Sequence, residues 1–193
     1  MDTMSVEPAS EPVKHLFTVD EYEAMGAAGL FAPDQRLELI EGEVIEMAPI
    51  GPLHAGTVAR LNQVLTRAVE NRAFVWVQNP VRLSDISEPQ PDLALLRPRD
   101  DFYTRAYPRP EDVLLAVEVA DTTRRWDRSV KVPLCARTAI SELWLVDVQD
   151  RTVEVFSSAA GGDYTRMRRA AVGDSIVVPG LADLTVLVAD FLA

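Results

Sequence analysis

The stretch "VLLAVEVADTTRRWDRSVKVPLCAR" (residues 113–137) decides how the chain is read. Its first part, within "DVLLAVEVAD" (112–121), is apolar on both faces of an extended chain, the pattern of a strand buried in the middle of a sheet. Glu118 breaks that run, and Arg124, Arg125, Arg128 and Lys131 follow it closely. A carboxylate among apolar neighbours costs several kcal/mol, roughly, unless it is paired, hydrogen-bonded or metal-bound. The second part, "WDRSVKVPLCARTAI" (126–140), has a helical pattern, and Pro133 is expected to kink or divide it. A buried strand running into a helix makes an α/β fold the expectation, with helices packed on the faces of a central sheet.

Working outward, the remaining elements are legible by period. "TVDEYEAM" forms a capping box between Thr18 and Glu21 and predicts a helix from about Val19 to Ala27. "RLELIEGEVIEM" (36–47) reads as a β-hairpin turning at Glu41-Gly42. Val58, Leu61, Val64, Leu65 and Ala68 recur at helical spacing within 54–72. "FVWVQNPVRLS" and "QPDLALLRP" read as strands, and "ELWLVDV" with "RTVEVFSSA" as a second hairpin around Gln149-Asp150. The tail from Ser175 predicts a strand and a short closing helix.

Composition narrows the classes. The chain has 193 residues, enough for one domain with a real core. Residues 1–15 read as a flexible polar leader, and 16–193 as the single domain. No apolar run approaches the ~20 residues that span a bilayer. With no export signal and one cysteine, Cys135, no internal disulfide is possible and a cytoplasmic location is expected. Cys135 reads as a small buried hydrophobe. The net charge of −11 disfavours loose binding to nucleic acid, which needs a basic surface. Yet residues 97–131 hold eight basic against seven acidic side chains, so positive charge gathers around Glu118.

Strand alternation picks out three acids. Glu118 shares its face with Leu114, Ala116 and Ala120, Asp92 with Ala94 and Leu96, and Glu43 with Ile45 and Met47. Lys131, on the helix after Glu118, can fold back toward these carboxylates. Two hard carboxylates suit Mg²⁺, and an adjacent lysine can steady charge building on a phosphate. That set suits phosphodiester cleavage. A plainer reading pairs each acid with an arginine or leaves it in water at a strand end. His54, at the start of the long helix, could relay a proton, bind phosphate or cap the turn. Two histidines and one cysteine without ligand spacing argue against zinc. "SSAAGGDY" lacks the lysine and helix of a phosphate loop. Trp76 and Trp144 lie in strand patterns, whereas Trp126 beside the arginines is a candidate for surface contact.

On these residues, with "LELIEGEVIEMAPIGPLHAGTVARLNQVL", "PDLALL" and "VEVADTTRRWDRSVKVPLCARTAISELWLVD", the chain resembles the Uma-type endonuclease family of the restriction-endonuclease-like, PD-(D/E)xK superfamily. The resemblance covers nearly everything after residue 16. It implies a three-layer α/β fold with a mixed central sheet and a divalent metal site. Pro91-Asp92 matches the PD motif, with Asp92 as first metal carboxylate, and Glu118 matches the second acid. The superfamily's usual lysine lies two residues beyond that acid. Here that position is Ala120, so the resemblance assigns the role to Lys131 on the following helix. Glu43 matches the acid of the glycine hairpin, and His54 the histidine of the long helix. The chain departs from the family at Asp121-Thr122-Thr123, where small serine-rich text is usual, and at Cys135, where tyrosine is common.

The function expected is therefore Mg²⁺-dependent hydrolysis of DNA phosphodiesters, with Mn²⁺ as a substitute. Asp92 and Glu118 would be the metal ligands, and Lys131, Glu43 and His54 would complete the catalytic set. Arg97, Arg124, Arg125 and Arg128 would hold the DNA backbone. The acidic surface predicts weak non-specific affinity, and a homodimer would suit two-strand cutting. Hydrolysis of another phosphoester is a further possibility. The alternative is a catalytically silent nuclease fold kept for dimerisation or partner binding, since fold alone does not settle function.

Overall fold

The structure is a computed structural model describing residues 12–181 and 183–192. Residues 1–11 of the polar leader lie outside the described residues. Residues 12–15 are exposed, and Lys14 pairs with Glu43.

Strand β5 (Val113–Ala120) is buried along all eight residues, as its apolar run demands. It lies inside a six-stranded sheet with order β3-β4-β5-β6-β7-β8. The others are β3 (Phe74–Val77), β4 (Leu93–Leu96), β6 (Glu142–Asp147), β7 (Thr152–Ala160) and β8 (Asp163–Ala171). β5 and β6 pair in parallel and every other neighbouring pair is antiparallel, which makes the sheet mixed. A parallel pair needs a crossover. Here it consists of α3 (Arg124–Trp126), a π-helical turn (Asp127–Lys131) and α4 (Val132–Arg137).

Each face of the sheet has its own core. On one side α2 (Pro52–Val69) packs Val58, Leu61, Leu65 and Val69 onto Leu93, Leu95, Leu115, Val117 and Val119. On the other, Val132, Leu134 and Cys135 meet Ala94, Ala116, Ala120, Leu143 and Leu145. The result is three layers. The hairpin β1 (Leu37–Ile40) and β2 (Glu43–Glu46) joins the second face through Ile40. Ahead of it, α1 (Val19–Ala27) starts at the capping box of Thr18 and Glu21. A small pair, β9 (Ser175–Val177) with β10 (Thr185–Leu187), and a closing turn bury Ile176, Val186 and Phe191 against α2's side.

One expectation changes, and one strand gave no signal in the sequence. Leu114 does not share Glu118's face. The β4–β5 register shifts so that Leu95 faces Leu115 while Leu96 faces Val113, leaving Leu114 as the extra residue of a bulge. It turns into α2's core, and Val113 takes its place with Ala116 and Ala120. Strand β8 carries no apolar signal because it is an edge: of "DYTRMRRAA" only Ala170 is buried. Charged side chains on an edge discourage pairing with other chains. Pro133 lies in the first turn of α4, where its missing N–H costs little. Just before it, the Val132 N–H reaches back five residues to the Asp127 carbonyl.

The hairpin is tied to its surroundings by backbone bonds: Phe17 N–H to Gly42 O (2.9 Å), Gly42 N–H to Ile86 O (2.7 Å) and Glu88 N–H to Leu39 O (2.7 Å). Gly42 has φ 80°, and a Cβ there would lie 2.5 Å from Leu16 Cβ. Backbone strain and overpacking therefore act together. Gly42→Ala should cost about 2–4 kcal/mol in urea unfolding, with the hairpin as the first region to lose hydrogen-exchange protection.

Candidate active site

Because β4 runs antiparallel to β5, Asp92, just ahead of β4, meets the end of β5 that carries Glu118 and Val119. The Val119 N–H donates to Asp92 Oδ2 (2.9 Å). His54, in the first turn of α2, brings Nε2 to the same oxygen at 3.0 Å. Gln78 Nε2 donates to Oδ1 (3.2 Å). Burial would push the Asp92 carboxyl up, but the His54 contact, the Val119 N–H and Lys131 outweigh it and hold it below its ordinary value. Asp92 is a fixed, ionised carboxylate.

Lys131 ends the π-helical turn and points at β5. Its Nζ lies 3.1 Å from Glu118 Oε1 and 3.1 Å from Glu38 Oε1, so one buried ammonium bridges two buried carboxylates. Asp127, at the other end of the turn, is also buried and accepts from Thr123 Oγ1 (2.6 Å). Burial alone would lower the lysine's pKa. Glu118, Glu38, Asp127 and Asp92 reverse this and hold it above its ordinary value, so it stays charged. Glu118 is pushed well up by burial and, despite Lys131, by Asp127, Asp92 and Glu38.

These groups share one pocket of about 170 Å³, whose lining includes Glu38, His54, Asp92, Glu118, Asp127 and Lys131. Asp92, Glu118, Lys131 and His54 are thus brought together from four elements. Glu43 is not: it is exposed on β2, paired with Lys14, and absent from the pocket lining. The hairpin's inward acid is Glu38. The clue was present, since Glu38 shares a strand face with Ile40 just as Glu118 does with Ala116. Which strand of a hairpin turns its acid inward is a matter of docking, however, and period alone does not decide it. Asp127 was hidden in the arginine cluster.

The arginines also divide. Arg97 leaves the opposite end of β4, roughly 13–17 Å along the strand from Asp92, and its Nε donates to Glu111 O (3.1 Å). Arg124 pairs with Asp147 (3.0 Å), Asp150 (3.2 Å) and Glu154 (3.5 Å). Arg128 pairs with Glu154 and lies over the Phe156 ring. These three brace the fold. Arg97 and Arg125 are both exposed and without an ion pair among the described residues, and of the two only Arg125 lies on the crossover that also carries Lys131. Trp126 is half-buried, with its indole N–H turned inside rather than offered to a partner.

The donor set bears on what the pocket can hold. Glu38, Asp92, Glu118 and Asp127 are each between 2% and 6% exposed, against the single ammonium of Lys131. An excess of negative charge in a dry site calls for protons or a cation. Glu38 Oε2 is buried without a hydrogen-bond partner. No group of three or more His, Cys, Asp or Glu side chains forms a ready metal cage among the described residues. Carboxylate oxygens are the donors that Mg²⁺ takes, and it uses one or two of them and fills its shell with water and substrate phosphate. Asp92 and Glu118 are the residues that would hold it.

Two stability measurements probe this charge balance. Lys131→Met should destabilise the protein by about 3–5 kcal/mol, because it leaves buried carboxylates without their counter-ion. Glu118 binds its proton more tightly folded than unfolded, so its contribution is fully present below its unfolded value and is lost as pH rises through the folded one. With chelator present, Glu118→Gln should therefore raise the thermal midpoint at pH 7–8 and leave it little changed at pH 4.

Comparison with known proteins agrees with this architecture. No curated protein matches the chain. Among solved structures, a "putative nuclease belonging to DUF820" from Anabaena variabilis ATCC 29413 superposes with a TM-score of 0.67 at 16% identity, covering 91% of this chain and 97% of that one. At that identity the likeness shows the restriction-endonuclease-like fold. No described helix is long and apolar enough to cross a membrane. A family model matches residues 19–189, a span that takes in the hairpin, His54, Asp92, Glu118 and Lys131. The chain belongs to the Uma2 family, described as "Putative restriction endonuclease".

Proposed function

We propose that the protein is a Mg²⁺-dependent endonuclease that hydrolyses DNA phosphodiester bonds in this pocket. The observation that carries the reading is the convergence of Asp92 just ahead of β4, Glu118 on β5 and Lys131 on the crossover on one space with surplus buried negative charge. DNA as substrate follows from the family's description as restriction endonucleases.

Mg²⁺, when bound, supplies a Lewis acid that polarises the phosphoryl oxygen and lowers the pKa of water. The chain does the rest. Asp92, ionised and fixed by His54 and the Val119 N–H, presents a rigid ligand. Glu118 would be the second ligand, a role that requires its carboxyl to be ionised. Lys131 stays charged and, anchored by Glu38, offers its ammonium to the charge that builds on the phosphate. Arg125, exposed beside the crossover, is the arginine available to a neighbouring backbone phosphate. Since the chain carries −11 overall, pairing two copies would gather more such contacts and place two pockets on one duplex.

Purified protein should nick supercoiled plasmid with Mg²⁺ or Mn²⁺, and Glu118→Gln should be inert under the same conditions. Cleavage by that variant at the wild-type rate would expose a contaminant and end the proposal. Either cation should also raise the wild-type thermal midpoint, and Asp92→Ala should abolish that gain.

A further inference from the structure

Asp92 is held by donors from three separate parts of the chain, and one of them has no role in the scheme above. Gln78 directly follows β3 with a left-handed backbone, φ 49°. That conformation is strained for a residue with a side chain. It aims two donors at Asp92: the Gln78 N–H reaches the Asp92 carbonyl (3.2 Å) and Nε2 reaches Oδ1 (3.2 Å). Asparagine and glycine adopt this backbone more readily. Neither would keep the amide in place, because asparagine is one methylene shorter and glycine has no side chain. Strain that a local substitution could relieve tends to persist where it serves a site.

The carboxylate's lone pairs sharpen the point. Each oxygen has about two acceptor directions. On Oδ2 both are engaged, by the Val119 N–H and by His54 Nε2. On Oδ1 one is engaged, by Gln78. Among the described residues one direction is left unengaged, and it belongs to Oδ1.

We infer that Gln78 is a positioning residue: it pins Oδ1 so that this oxygen, and not Oδ2, is the one Asp92 gives to the cation. The assignment rests on the metal-dependent reading above. Gln78 is uncharged, so its replacement leaves the charge of the pocket alone and changes only how Asp92 is aimed. Groups that orient a metal ligand contribute 10–100-fold, roughly, to affinity.

The test compares Gln78→Gly and Gln78→Asn with the wild type. Both variants suit the left-handed backbone, and the strain they relieve offsets part of the hydrogen bond they lose, so the metal-free thermal midpoint should fall by no more than a few degrees, roughly. The Mn²⁺ Kd from calorimetry should nonetheless rise about 10–100-fold in both, and the Mn²⁺ concentration for half-maximal plasmid nicking should rise with it. Wild-type Mn²⁺ affinity in the two variants overturns the role of Gln78. So does a metal-free midpoint so low that the variants are largely unfolded at the temperature of the titration, since Gln78 would then only brace the fold. If wild type and Asp92→Ala bind Mn²⁺ equally, the metal-dependent reading itself fails, whatever the Gln78 variants do, and takes this assignment with it.

Discussion

The buried ammonium of Lys131 is the interaction on which the rest of the molecule turns. It bridges Glu38 and Glu118 in a region shared with two more buried carboxylates, Asp92 and Asp127. Coulomb attraction at low dielectric is strong enough to hold such a group charged against its own desolvation. One positive charge does not balance four carboxylates, so the pocket is built with an unmet demand for cation or proton. A fold selected only for stability would fill this space with apolar side chains.

Three constructions bring these groups together. The antiparallel β4–β5 pairing puts Asp92 beside Val119, so a backbone N–H of one strand fixes the carboxylate that precedes the other. The parallel β5–β6 pairing demands a crossover, and its π-helical turn buries both Asp127 and Lys131. Such turns are uncommon and recur at functional sites. The docked hairpin then supplies Glu38 from outside the main sheet. Each of these is a backbone constraint first and a chemical one second.

How much of this could be read from the residues differs from group to group. Glu118 was visible because a carboxylate in an unbroken apolar strand is an anomaly at the level of composition. Asp92 and His54 were visible through motif and position. Lys131 was visible as a lysine on a helix able to fold back on Glu118, and the resemblance gave it the role of the family's lysine; spacing along the chain does not show that the helix does fold back. Glu43 was singled out and Glu38 was not, because both strands of a hairpin alternate, and which acid turns inward depends on what the hairpin packs against. The arginines were grouped by proximity in sequence. In space Arg97 lies at the far end of β4, and Arg124 and Arg128 are drawn to the acids of β6, β7 and the turn between them.

The sequence by itself determined the local elements and the fold class. Helical and strand periods, the capping box and the turn residues act over a few neighbours, and those are the distances at which side chains choose a backbone conformation. It also marked Asp92 and Glu118, because burying a charge is costly wherever it happens. Only the tertiary structure decided which acid joins Lys131, which arginines are consumed in ion pairs, and that a bulge sends Leu114 to the opposite core. Those outcomes depend on strand register and on the docking of remote segments, where interactions separated by scores of residues compete for the same space.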